Sequence, residues 1–290
     1  MLSHWPRSMA GVALAASIAA GAAAVSVQGR AQIYATVLSD AKTPVGGLST
    51  ADFVLRDGGV RIGVLNAAPA LEPLSVAITV SGFDEVDAPA LTQAVERLRQ
   101  TLADSNAADR VGVLGGQVVA GASIAMLSGP AAETAAAIQN AIRARRDPID
   151  GAIAACEVLR EAPADRRTVL AFFKRQPSET SSPAAEQMLA AIRSSHAALW
   201  TIEIGGRVSG RDPSPIAAID LALDEAVRAS GAIRERVASA GDLPAASERT
   251  AKRWLSQYLV TFTWPEPMVS QFSLVTRHDA GDVLTPEWTK

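Results

Sequence analysis

The sequence is short of the residues on which most recognisable chemistry depends. Its 290 residues include one cysteine and three histidines. A single cysteine closes no internal disulfide, and nothing around Cys156 supplies the histidine or electropositive niche that a nucleophilic thiolate requires. Cys156 lies in "IDGAIAACEVLREA", on one helical face with Ile149, Ile153 and Leu159. It therefore reads as a small hydrophobe in a core. Positive charge is nowhere concentrated along the sequence: the formal net charge is -3, with Lys and Arg scattered rather than clustered. Without a basic stripe there is nothing to hold a phosphate backbone, and nucleic acid is excluded as a partner. No Gly-x-Ser-x-Gly elbow occurs, and the glycine-rich pieces "LGGQVVAGAS" and "EIGGRVSG" lack the Lys-Ser/Thr of a phosphate loop. Ser81 and His196 have no third residue in support of a hydrolytic triad. His196 falls where a helix meets a strand, a place where histidine caps carbonyls. His4 lies in the leader and His278 in a terminal strand. No catalytic residue is expected, and the chain does not read as an enzyme.

What is present begins with a leader. "MLSHWPRSMAGVALAASIAAGAAAVS" has a polar start with Arg7, an apolar run from Met9 to Ala24, and Ala-x-Ala choices around Ala22 to Ala24. This is the layout of a signal peptide, residues 1–24, cleaved near Ala24. The alternative is a retained anchor helix. The run, however, is Ala-rich and falls short of the ~20 residues that a comfortable span requires. No cysteine follows it, so a lipid-anchored form is not supported. The mature chain is expected to be periplasmic or secreted, with no membrane insertion once the leader is removed.

Beyond the leader, residues 30–72 carry β signals alone. "QIYATVLSD" alternates like a half-buried strand, and "ADFVLRDGGVRIGVL" reads as two short strands joined at Asp57-Gly58-Gly59. From residue 73 to 244 strands and helices alternate. "LSVAITV", "DRVGVLGG", "TVLAFF" and "LWTIEIGG" are near-continuous apolar runs of the kind a parallel sheet covered on both faces needs. Leu91, Val95, Leu98 and Leu102 form one helical stripe after Pro89. Further helical periods are marked by Ile138 and Ile142, by Ile149 to Leu159, and by Met188 and Ile192. "PSPIAAIDLALDEAVRASG" starts on proline and ends on Gly231, as a helix does. The pattern predicts an α/β fold with a doubly wound, mostly parallel, Rossmann-type sheet. Residues 245–290 read as a helix followed by strands. They are expected to pack on 30–72 as one small β-subdomain, because neither piece has strands enough to stand alone.

This order of elements, with "VLSDAKTPVGGLSTADFVLRDG" (Val37 to Gly58), "ADRVGVL", "GAIAACEVL", "AVRASG" and "QYLVTF", resembles the von Willebrand factor A-like, VWFA-related secreted proteins of bacteria. The resemblance implies an A-type domain behind a short β-module. It also implies a metal-ion-dependent adhesion site built from an Asp-x-Ser-x-Ser loop after the first sheet strand, a Thr in a second loop and an Asp after the fourth strand. A hard divalent cation needs oxygens from several such loops. On this chain the first loop is Thr79-Val-Ser81-Gly-Phe83, so Thr79 replaces the leading carboxylate and Phe83 the last hydroxyl. Asp147 stands near the second-loop position with Asp150 close by, and Lys174 occupies the place of the final acid. An ammonium ~4 Å from a divalent ion repels it by roughly 8 kcal/mol at an effective dielectric near 20. The adhesion site is therefore expected to be degenerate, with no metal. Lys174 then either substitutes for the cation, pairing with Asp147 or Asp84, or stands in solvent. Two functional readings follow. One is an exported, non-catalytic protein-interaction module with an unidentified protein partner. The other is a cation-dependent adhesion protein that binds Mg2+ or Ca2+ through relocated groups such as Ser81, Asp84, Asp147 and Asp150, with Glu85 and Asp87 nearby. The polar loops Gly205 to Pro215 and Lys174 to Pro183 are further candidate contact surfaces.

Overall fold

A computed structural model describes residues 29–106, 108–115, 124–163, 166–174, 185–205, 215–263, 272–277 and 281–287. The leader, His278 and most of the two polar loops lie outside these residues.

Eight consecutive buried residues form the strand β5 (Leu74–Ser81). It lies inside a six-stranded sheet with β6 (Arg110–Leu114) and β7 (Ile124–Met126) on one side, and β8 (Arg166–Lys174), β9 (Ala197–Ile204) and β10 (Arg234–Val237) on the other. Five strands run parallel, and β7 is an antiparallel edge on β6. The four apolar runs read from the sequence are β5, β6, β8 and β9. Sequence pattern does not reveal β7 or β10. β10 is "RERV", whose charges obscure its strand character until their partners are seen.

Helices cover the sheet. The stripe after Pro89 becomes α1 (Ala88–Ala103), burying Leu91, Val95, Leu98 and Leu102. Each such leucine removed from water contributes about 1.5–3 kcal/mol. α2 (Ala131–Ala144), α3 (Pro148–Arg160), α4 (Ala185–Ser195) and α5 (Pro215–Ala229) follow where the periods place them. Gly231, at φ +68°, ends the last of these turns. α6 (Leu243–Leu255) packs along α1. Its Ala246, Ala251 and Trp254 enter the same core as the sheet, where Trp254 meets Trp200 edge-on with ring centres 6.0 Å apart. The C-terminal segment thus divides, with its helix joining the α/β layers and its strands joining the β layer.

That β layer holds a second core. β1 (Arg30–Leu38) pairs with β11 (Tyr258–Thr263) and β13 (Asp282–Leu284), and β11 pairs in turn with β4 (Val64–Pro69). β2 (Phe53–Asp57) lies between β3 (Val60–Ile62) and β12 (Phe272–Thr276). The stretch 51–65 therefore holds the start of a third strand, β4, as well as the expected hairpin. Phe53, Leu55, Tyr258, Val260 and Phe262 fill the space between, with Phe53 and Tyr258 rings 5.4 Å apart.

Candidate functional site

The chain leaves β5 for β6 on one side and later returns to β8 on the other. That reversal leaves a crevice outside the carboxyl ends of β5 and β8, the usual ligand position in an open α/β sheet. Ser81 ends β5 opposite Phe173, and Lys174 is the last residue of β8. Alternation along the strands puts Ser81 and Phe173 on one face and Lys174 on the other.

On the face of Lys174, the chain turns through Gly82 (φ +72°), buries Phe83 at 6% exposure, and runs through a short 3-10 turn, Glu85–Asp87, into α1. Phe83 is thus a core residue and offers no ligand. Asp87 is buried, and its Oδ2 accepts the Asp84 backbone N–H at 3.2 Å. The same oxygen lies 2.8 Å from Lys174 Nζ, while Asp84 Oδ2 is 3.9 Å away. The ammonium therefore joins the end of β8 to the entry of α1. Its closest carboxylate is Asp87, ahead of Asp84 and in place of Asp147, because the 3-10 turn brings its third residue back over the strand ends. Of the two expected partners, Asp147 accepts from N–H groups elsewhere and Asp84 lies farther out.

Asp147 is used at the other face. It is the N-cap of α3, and its Oδ1 accepts from the N–H groups of Ile149 (2.9 Å) and Asp150 (2.8 Å). Such a cap contributes about 0.5–2 kcal/mol to a helix. Burial, then the hydrogen bond and charge of Asp147, push the Asp150 carboxyl up to about 6, with Arg146 acting in the opposite direction. Thr79 packs against α3 so closely that a methyl on Gly151 would lie 3.3 Å from its Cβ. The hydroxyls of Thr79 and Ser81 are both buried and have no hydrogen-bond partner among the described residues.

A divalent cation fits these residues poorly. Of the carboxylates near the crevice, Asp87 is taken by an ammonium and Asp147 by helix N–H groups. No three His, Cys, Asp or Glu side chains among the described residues converge on one point. The geometry suits a fixed ion pair that ties strand to helix.

One charged group beside the crevice escaped sequence reasoning. Glu203 of β9 is fully buried, with Oε2 2.8 Å from Arg234 Nη2 and 3.1 Å from Arg236 Nε. Arg234 also reaches Asp220 (2.5 Å) and Asp224 (3.0 Å) on α5, and its guanidinium lies 5.2 Å from the centre of the Phe173 ring. An acid within the apolar run "LWTIEIGG" was the available signal, because a buried carboxylate demands a cation. Cys156 is buried, and desolvation lifts its thiol to about 12.

No protein-family model and no curated protein matches the chain. Solved structures similar in backbone include proximal thread matrix protein 1 of the mussel byssus, at 11% identity over 64% of this chain and 48% of that one, with a TM-score of 0.45. The chain therefore spans about half the length of that protein. The pilus adhesin SpaC of Lactobacillus rhamnosus GG is similar at 10% identity over 76% of this chain and 36% of the other, TM-score 0.46. An aerotolerance-related membrane protein of Bacteroides fragilis is similar at 13% identity over 62% and 99%, TM-score 0.40.

Proposed function

We propose that the chain is an exported, non-catalytic protein-interaction module with a von Willebrand A-like domain, in which a lysine–aspartate pair replaces a divalent cation at the crevice. The observation that carries this reading is Lys174 Nζ at 2.8 Å from the buried Asp87. An internal ammonium organises the strand end and the α1 entry as a cation would, but it offers no open coordination position. Recognition then falls to the rim, where Val86 is 82% exposed and Glu85 is held by Arg143 at 3.4 Å. An apolar side chain ringed by charge suits contact with another protein. Export rests on the leader pattern of residues 1–24; among the described residues no helix is long and apolar enough to cross a membrane.

The cation-dependent reading retains one observation in its favour. Asp150 stands beside Asp147, which helps to raise its carboxyl to about 6, and on β5 the hydroxyls of Thr79 and Ser81 have no hydrogen-bond partner among the described residues. Titration calorimetry of the full chain with Mg2+, Mn2+ and Ca2+ separates the two. The proposal expects no binding heat at millimolar metal, and capture of a partner from the parent envelope fraction that chelator leaves unchanged. Saturable binding heat, with capture abolished by chelator, would replace it with the alternative.

A further inference from the structure

The sheet of β2, β3 and β12 has one face in the second core and one face open to solvent. Phe53, Leu55 and Leu274 point inward and are buried, so the residues alternating with them along β2 and β12 point outward. On that outer face the register sets Arg56 of β2 directly opposite Arg61 of β3 and, on its other side, opposite Ser273 of β12. In the next row Val54 lies opposite Val275. Arg277 follows at the end of β12, one row farther on. All three arginines are exposed, and Val275 is 44% exposed beside them.

Arg56 and Arg61 are cross-strand neighbours, a position that brings Cβ atoms to about 4.5–5.5 Å and makes like charges destabilising. A purely structural pair would have an acid close by. Among the described residues none of the three arginines makes an ion pair or a hydrogen bond. The contrast is with the helices, where Arg97, Arg143, Arg228 and Arg249 each reach a carboxylate. Asp57, the one acid in β2, β3 and β12, is buried on the inner side. A chain of net charge -3 thus presents three positive charges and two valines on one surface. Sequence pattern hides this, because strand pairing brings residues 56, 61 and 277 together.

Charge complementarity calls for an acidic occupant. Three arginines fall short of the cluster of about 4–8 that holds an anionic membrane, and valines are not the aromatic or leucine side chains that enter a lipid interface. The guanidinium fork matches a carboxylate at two points. An extended chain presents every second side chain to one surface, about 6.5–7 Å apart, which is also the spacing of these rows. We propose that the outer face of β2, β3 and β12 is a second interaction surface, which takes an extended acidic segment of a partner protein. Its carboxylates meet the Arg56–Arg61 pair and Arg277, and a small apolar side chain between them rests on Val54 and Val275. This surface belongs to the β layer and does not rest on the reading of the crevice.

The test uses the full chain and two fluorescent peptides, one with the core Glu-Thr-Val-Thr-Glu and one with glutamine in place of both glutamates. Fluorescence anisotropy is expected to show saturable binding of the acidic peptide and about tenfold weaker binding of its neutral counterpart. Raising the salt tenfold should weaken the acidic peptide about threefold. Arg56→Glu, which sets a carboxylate opposite Arg61, is expected to abolish binding while holding or raising the unfolding midpoint, so the loss is not one of folding. Val86→Ser, at the crevice rim, should leave binding unchanged, which keeps this surface separate from the crevice. The proposal is overturned if the acidic peptide fails to bind, if both peptides bind equally, if Arg56→Glu binds as the native chain does, or if Val86→Ser removes binding. Capture of the native chain by phosphatidylglycerol vesicles without binding of the peptide would replace it with membrane contact. The comparison of the two peptides needs no variant, so it decides even if Arg56→Glu does not fold.

Discussion

Lys174→Met removes the ammonium at the crevice and keeps most of its length. At 2.8 Å and an effective dielectric near 20, the bare attraction between Lys174 and Asp87 is about 6 kcal/mol. Most of this is offset by the hydration each group gives up. The pair is asymmetric: the lysine side chain is 34% exposed and the aspartate side chain 10%. A charge-assisted hydrogen bond of buried groups contributes about 1.5–3 kcal/mol, an exposed pair about 0–1. A loss of about 1–2 kcal/mol is therefore expected, a fall in unfolding midpoint of roughly 2–6 °C for a domain of this size. Asp87→Asn keeps an acceptor for the Asp84 N–H while removing the charge, so a double-mutant cycle isolates the pair. Urea unfolding followed by tryptophan fluorescence should give a coupling of about 1 kcal/mol, reduced in high salt. Lys174→Asp should in addition bind Mg2+ with millimolar affinity, and the native chain is expected to give no binding heat in the same titration. A coupling indistinguishable from zero, together with no metal binding in Lys174→Asp, would show that Lys174 is an ordinary surface lysine and would refute the substitution argument.

Three further outcomes are expected. In the folded chain the Asp150 carboxyl is raised from 3.8 to about 6 by burial and by Asp147, so its contribution favours the folded state below pH ~4 and is lost as the pH climbs to ~6; Asp150→Asn should flatten that limb of a stability-versus-pH curve, with the effect kept small by the residue's exposure. Gly231→Ala places a methyl 2.3 Å from the Thr285 carbonyl carbon at a φ of +68°, and should cost more than about 2 kcal/mol in chemical unfolding, by detaching the C-terminal segment from the sheet. The Cys156 thiol, lifted to about 12 by burial, should give no reaction with a thiol reagent at pH 8 in the native chain and one equivalent in denaturant.

The fold was legible where burial dictates pattern. β5, β8 and β9 are covered on both faces, so their sequences are runs of apolar residues, and α1 shows its stripe because only one face meets the sheet. β10 was not legible. Its strand character depends on Arg234 and Arg236 meeting Glu203 across the sheet, a long-range pairing that no local window contains. β7, three residues long at an edge, has too little sequence to carry a period. At the site, the reading located Lys174 and the loop of Ser81, since both follow apolar strands. It named Asp84, which lies 3.9 Å from the ammonium, but not the nearer Asp87, because the backbone reversal through Gly82 and the 3-10 turn, rather than residue spacing, decides which acid comes closest.

The two faces of the sheet carry different groups at the crevice, an ion pair on one side and on the other hydroxyls with no partner among the described residues. A metal at the switch point would draw oxygens from the ends of β5, from the α3 loop and from the end of β8 together, and so lock all three. Lys174 extends from the face opposite Ser81, and its ion pair locks only β8 to α1. Thr79 and Ser81 are left on the α3 side, where Asp147 has turned to cap its own helix. A buried hydroxyl without a partner costs about 1–3 kcal/mol, so replacing Ser81 by alanine, which removes the hydroxyl and little volume, should leave stability unchanged or raise it. Were Ser81 instead a working ligand, the same change would lower metal-dependent capture while stability held. The two measurements on Ser81→Ala therefore distinguish a site whose organisation has passed to Lys174 from one that still depends on its hydroxyls.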